Sequence, residues 1–146
     1  MKIETKYFGQ VHIEESKVIE FEHGLPGFPT ESQFIILDLL ENPVFQVLQS
    51  VKTDQTAFVI ADPYHLFKEY EFNLDDNTVE LLEINSKKDV LVFAIVSLKD
   101  PFESSTVNLQ APLVINQSKR RAKQYITNDK RHLTKTPFNS SNVKEV

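Results

Sequence analysis

Val90-Leu91-Val92-Phe93-Ala94-Ile95-Val96 is apolar at every position and half β-branched, and Ser97, Lys99 and Asp100 follow it. A run of this length without a wet face reads as a strand covered on both faces. It is therefore expected at the centre of a sheet. On either side, apolar and β-branched runs of strand length recur: Lys2 to Thr5, Gln10 to Ile13, Val18 to Phe21, Gln33 to Leu37, Val44 to Gln49 and Ala57 to Ala61 before it. Val107 to Leu109, Leu113 to Ile115 and Gln124 to Ile126 come after it. Short strands about ten residues apart point to a barrel or a sandwich. Phe45, Val47, Gln49 and Val51 alternate with Gln46, Leu48 and Ser50, a period of two that puts one set inside and the other outside.

Helix signals are few. Asp75 to Leu82 is the clearest, with Asp75 or Asp76 to cap the first turn, Glu80 near that end, and an apolar edge of Val79 and Leu82. Between Pro63 and Phe72, aromatics alternate with charge, which fits an irregular loop or edge segment with some rings partly exposed. From Thr127 onward the chain is polar and aperiodic, so burial offsets little of its ordering entropy, and residues 127–146 are expected to form a mobile, basic tail behind a domain spanning 1–126.

With 146 residues the chain fits one domain, and with no cysteine it has no disulfide, thiolate metal site or cysteine nucleophile. Its opening Met-Lys-Ile-Glu-Thr-Lys interleaves charge, and no apolar run approaches the roughly 20 residues of a membrane helix, so neither export nor membrane insertion is expected. The net charge of -5 hides an asymmetry: residues 1–116 carry 8 Lys+Arg against 19 Asp+Glu, and residues 117–146 carry 8 against 2. An acidic body repels nucleic acid and attracts basic partners.

Candidate chemistry is sparse. Leu25-Pro26-Gly27-Phe28 reads first as a type II turn, with proline presetting its second position and glycine tolerating positive φ at the third, and Phe21 and Phe28 tucked into the core. A partner-facing loop is its second reading. Gly24 and Gly27 lack the further Gly, Lys and Ser/Thr of a phosphate cradle. Asp75-Asp76 are adjacent and point apart, which suits capping and not paired acid/base work. His12, His23, His65 and His132 are scattered, so a surface or turn position is expected for each and no zinc pair. The Ser50 and Ser104-Ser105-Thr106 hydroxyls lie in no nucleophile-elbow pattern. Lys119-Arg120-Arg121-Ala122-Lys123, followed by Tyr125, mixes basic and aromatic residues as nucleic-acid binders do, although a solvated hairpin accounts for it better. Pro112, within Asn108 to Asn116, should stand at a strand start, an edge or a bulge.

Five blocks carry a resemblance: Ile-x-Thr-Lys-Tyr-x-Gly at Ile3 to Gly9, Phe-Glu-x-Gly-Leu-Pro-Gly-Phe at Phe21 to Phe28, Leu-Gln-Ser-Val at Leu48 to Val51, Tyr-Glu-Phe-x-Leu-Asp-Asp at Tyr70 to Asp76, and Asn-Leu-Gln-Ala-Pro-Leu-Val-Ile-Asn at Asn108 to Asn116. Each is modestly specific, and five in order are strongly so. From Met1 to about Ile126 the chain resembles the bacterial flagellar assembly factor FliW family. That resemblance implies a mainly β, single-domain, small β-barrel-like fold of about ten short, mostly antiparallel strands with one or two short helices. It also implies a cytoplasmic, non-enzymatic regulator without cofactor, metal or small-molecule substrate. Its partners would be CsrA, an RNA-binding translational repressor of flagellin mRNA, and flagellin itself. A direct nucleic-acid binder using Lys119 to Tyr125 is the alternative. The partner surface is expected on Tyr64, Phe67, Glu69, Tyr70, Glu71, Asp75 and Asp76, with Phe28 and Gln110 as secondary contacts.

Overall fold

The computed structural model describes residues 1–25, 27–39 and 44–138. In chain order the strands are β1 (Lys2–Thr5), β2 (Gly9–His12), β3 (Ile19–Phe21), β4 (Gln33–Asp38), β5 (Phe45–Ser50), β6 (Ala57–Ala61), β7 (Val90–Ser97), β8 (Thr106–Val107), β9 (Leu113–Asn116), β10 (Arg121–Gln124) and β11 (Thr136–Pro137). Two short helices, α1 (Pro63–Leu66) and α2 (Asp76–Leu81), lie between β6 and β7.

The sheet closes on itself. β3 to β7 pair consecutively and antiparallel, β7 pairs with β9, β9 with β10, and β10 returns to lie parallel with β3. These seven strands form a barrel, and β8 and β11 extend from β7 beside it. As expected from its apolar run, β7 is central, with β6, β8 and β9 all bonded to it. β8 and β9 act as one interrupted strand: the three steps of β7 from Val96 to Phe93 face six steps of chain from Val107 to Leu113. Asn108 to Pro112 loops out to absorb the difference. Asn108 Oδ1 accepts from the Ala111 N–H at 3.1 Å, and Pro112, which has no donor, stands directly before β9.

Ile19, Phe21, Leu25, Phe34, Leu48, Ile60, Leu113, Ile115 and Ala122 fill the barrel interior, with Leu91, Phe93 and Ile95 packed against them. Leu25 and Phe28 close on each other through a 2.7 Å hydrogen bond from the Phe28 N–H to the Leu25 carbonyl, with Gly27 at φ +85°, the value expected at the third position of the type II turn. Pro26 itself lies outside the described residues. Phe21 is in the core as expected. Phe28 is not: it remains 40% exposed, its ring edge-on to Phe58 at 5.4 Å.

The period of two expected for β5 is overridden, because Val47, Leu48, Gln49 and Ser50 are all fully buried. Leu48 points into the barrel, while the outer face of the sheet is covered by the β1–β2 hairpin through Ile3, Ile13 and Ile35 and by further clusters along the chain. Gln49, shut in by this cover, satisfies its amide internally: Oε1 accepts the Lys6 N–H at 3.0 Å, and Nε2 lies 3.1 Å from the carbonyls of Ser50 and Asp54. Asn116, equally buried, donates from Nδ2 to the Leu82 and Glu83 carbonyls and accepts the N–H groups of Ser118 and Lys119, tying the end of α2 to the β9–β10 turn.

Two expectations about the C-terminal part need correction. The last barrel strand is Arg121–Gln124, not Gln124 to Ile126, because Ala122 carries the inward face while its basic neighbours stay at the surface. Residues 127–138 are packed onto the body: β11 pairs with β8, Phe138 and His132 are buried, and the Leu109 N–H donates to the Leu133 carbonyl. Composition misled here because two well-spaced anchors suffice to dock a polar segment. The remainder of the expected tail, 139–146, lies outside the described residues.

Candidate partner-binding site

The segment linking β6 to β7 folds by local capping. Asp62 accepts the Tyr64 N–H at 2.9 Å, and Pro63 supplies the preset φ of a first helical residue, so α1 forms where an irregular loop was expected. The Asp-Pro pair is the signal that reading passed over. Asp75 caps α2 as expected, its carboxylate accepting the Thr78 N–H at 2.8 Å, and hydrogen bonding from Thr78 lowers its pKa.

Between the helices the aromatics stack into a continuous chain. Tyr70 sits 5.5 Å from Tyr64, 5.7 Å from Phe72 and 4.7 Å from His132, and Phe72 stacks on Tyr125 at 5.8 Å. Tyr70 donates its hydroxyl to the Leu109 carbonyl at 2.7 Å, and burial pushes that phenol well above its ordinary range. Phe67 and Tyr70 are therefore core residues, 3% and 5% exposed, and not the exposed anchors expected. They were bound to be pulled in, since the outer face of β7 offers Ala94 and Val96 to be covered. Tyr64 stays 42% exposed, and Glu69, Glu71, Asp75 and Asp76 are exposed.

What the sequence did not reveal is a groove that Tyr64 borders. Tyr64, Phe72, Leu74, Val79, Ile84, Val90 and Val92 line a trough of about 480 Å³ between α2 and the outer face of β7, with Lys87 at its rim. The continuous apolarity of Val90 to Val96 held the signal, because a strand apolar on both faces needs a cover, and α2 covers this one incompletely. Asp75 and Asp76, at the N-terminus of α2, are exposed and follow the lining residue Leu74 in the chain. The docked C-terminal segment sits beside Glu69 and Glu71: Arg131, whose fork grips Asp129 at 2.7 to 3.1 Å, lines two neighbouring depressions, one with each of these glutamates. Phe28 and Gln110 lie apart from the groove. Phe28 packs on Phe58 of the barrel, and Gln110 holds the C-terminal segment through its carbonyl, which accepts the Thr127 N–H at 2.9 Å.

The basic run is largely engaged within the fold. Arg121 pairs with Glu83 at 2.9 Å, Arg120 donates to the Lys17 carbonyl, and Tyr125 is buried with its hydroxyl on the Asn73 carbonyl, so it has no free face for a base. His132 is likewise buried, against the expected surface position, with Nε2 2.8 Å from the Glu71 carbonyl. Ser50 is enclosed and bonds Glu31, which also accepts from Thr53, a tie between loops and not an activated nucleophile. Among the described residues no group of His, Cys, Asp and Glu is arranged to hold a metal ion, and no helix is long and apolar enough to cross a membrane.

The family model for the FliW protein matches residues 2–138, nearly the whole chain. The chain belongs to the FliW family. The flagellar assembly factor FliW of Oceanobacillus iheyensis is 49% identical over 145 residues, covering 99% of both chains, and that of Bacillus subtilis is 46% identical over 138 residues, covering 94% of this chain and 96% of the relative. Among solved structures, a crystal structure of the flagellar assembly factor FliW superposes with a TM-score of 0.89 at 43% identity, covering 98% of this chain and all of that one. The match reaches Phe138 and so includes the docked C-terminal segment that the sequence resemblance, ending near Ile126, left out.

Proposed function

We propose that this FliW-family chain is a non-enzymatic regulator in the cytoplasm that binds the repressor CsrA, relieving repression of flagellin mRNA, and binds flagellin in alternation with it. When flagellin accumulates it occupies this protein, CsrA is released, and flagellin synthesis falls. The observation that carries the reading is the apolar groove between α2 and β7, whose lining includes Lys87, together with the exposed acids Glu69, Glu71, Asp75 and Asp76 on the same β6–β7 connection. An apolar trough on a connection that is acidic on balance suits a protein segment with basic flanks, since aromatic and aliphatic contact supplies affinity and nearby charge supplies rate and register. Tyr64, Glu69, Glu71, Asp75 and Asp76 form this surface. Phe67 and Tyr70 support it from beneath, and Phe28 and Gln110 are outlying contacts.

Calorimetric titration with CsrA, then with flagellin, each from the same bacterium and repeated with the other partner present, tests the reading. Submicromolar binding to both with mutual displacement is expected, and no binding to either overturns it. In the same assay Glu69→Lys with Glu71→Lys should weaken at least one partner by about a few-fold, as expected for rim charges. Unchanged affinities and association rates for both would remove this surface from consideration.

A further inference from the structure

The barrel interior is not sealed everywhere. Phe34 on β4 is fully enclosed, as are the inward residues Ile19, Phe21, Leu48, Leu113 and Ile115, whereas Ile36, the next inward residue of β4, and Leu91 and Phe93 of β7 are only half-buried. The register supplies the cause. β3 pairs with β4 only at Gln33 and Phe34, so Ile35 to Asp38 have no strand partner on that edge among the described residues, because the chain ahead of β3 turns aside in a 3₁₀ turn at Glu15–Lys17. A cavity of about 540 Å³ lies against these residues, lined by Ile36, Leu91 and Phe93 of the interior together with Ile13, Lys17 and Arg120.

Arg120 gives this cavity its polarity. It occupies the β9–β10 turn at φ +55°, a conformation that Gly or Asn takes with less strain, and its carbonyl accepts the Glu20 N–H at 2.8 Å, which fixes the backbone. Nη2 donates to the Lys17 carbonyl, Nε is buried without a hydrogen-bond partner, and the guanidinium joins no salt bridge among the described residues. Burial accordingly pulls its pKa below the ordinary value. A cation in that state is stabilised by an anion brought to it. Lys17, exposed and equally without an ion pair among the described residues, adds a second positive charge to the lining, against the single carboxylate of Glu14. We propose that this cavity binds a fatty acid of medium chain length, with its aliphatic chain along Ile36, Leu91 and Phe93 and its carboxylate on Arg120 and Lys17. Apolar walls with a few placed polar groups, in a volume of this size, are what small-molecule sites present. The site is separate from the α2–β7 groove and does not depend on the function proposed above.

Calorimetry with sodium decanoate below its micellar concentration, beside acetate and decanol, tests both halves of the ligand. Decanoate should bind about tenfold or more tightly than either the head group or the chain alone, the scale of a charge-assisted contact. Arg120→Asn, which suits the left-handed backbone, should keep the melting temperature and weaken decanoate by about the same factor. Lys17→Glu, an exposed change away from the turn, should weaken it in the same direction and carries the comparison if Arg120→Asn disturbs the fold. Methyl spectra place the ligand: shifts should centre on Ile13, Ile36 and Leu91 and leave Leu74, Val79 and Ile84 of the groove unmoved. No binding of decanoate, equal affinity for decanol, or equal affinity of wild type and the folded variants overturns the site. Methyl shifts centred on the groove overturn it as well.

Discussion

Gly24 leaves no room for a side chain. A Cβ built there meets the Phe28 carbonyl oxygen at 2.6 Å and that of Pro29 at 2.8 Å, and the backbone sits at φ +67°. Both obstacles are backbone, so neither can swing aside. Gly24→Ala is expected to cost about 2 kcal/mol or more, combining left-handed strain with a forced shift of the turn at Phe28, and the midpoint of urea unfolding measures it. Gly9 differs: its φ is positive too, but a Cβ there has nothing within 4 Å. The sequence marks both glycines as turn residues, and only the folded neighbourhood separates a tight approach from an open one. Phe67 and Tyr70 teach the same lesson from the other side, because a ring among charges reads as exposed until the strand it covers is known.

At the scale of elements, β7 and α2 were legible because their signals are local: an unbroken apolar run, and a capping Asp ahead of Val79 and Leu82. The segment 127–138 was not, since its anchors His132 and Phe138 are single residues whose partners Tyr70, Phe45 and β8 lie far away in sequence. The segment also carries a titratable pair of its own. The Arg131 fork holds the Asp129 carboxyl down at about 2, with His132 adding to the pull, against an ordinary value of 3.8. A carboxylate whose folded pKa is depressed contributes stability above its unfolded pKa and loses it as pH falls toward the folded one. Between about pH 4 and pH 2 the unfolding midpoint of wild type should therefore fall more steeply than that of Asp129→Asn. Parallel curves would show that the fork does not contribute to stability. The groove went unread for a related reason, being defined by the incomplete fit of α2 on β7, which no local pattern records.

The whole molecule keeps the charge asymmetry of its sequence, but folded into contact. The basic segment as far as Phe138 lies on the acidic body, with Arg121 on Glu83 and Arg131 beside Glu71, so part of the opposing charge is already neutralised within the chain. What remains exposed on the β6–β7 connection is acidic on balance, with Lys68, Lys87 and Lys88 outnumbered by Asp62, Glu69, Glu71, Asp75, Asp76 and Glu80. Association with a basic partner should accordingly slow several-fold as ionic strength rises from about 0.05 to 0.5 M, while dissociation changes little. Stopped-flow mixing at the two salt concentrations checks this, and a rate insensitive to salt would assign recognition to the apolar contacts alone.

The barrel has an odd number of staves. Strands that reverse direction at every step can close a ring only if their number is even, so with seven one neighbouring pair must run the same way. That seam falls between β3 and β10, the first and last strands of the ring, joined in register at Glu20 with Arg121 and at Phe21 with Ala122. The barrel thus cannot close by extending a hairpin. Residues 19–21 must wait for 121–124, some hundred residues later, to leave the ribosome. Until then β3 shows an open edge, and the growing chain is a curled sheet with one side still to be sealed.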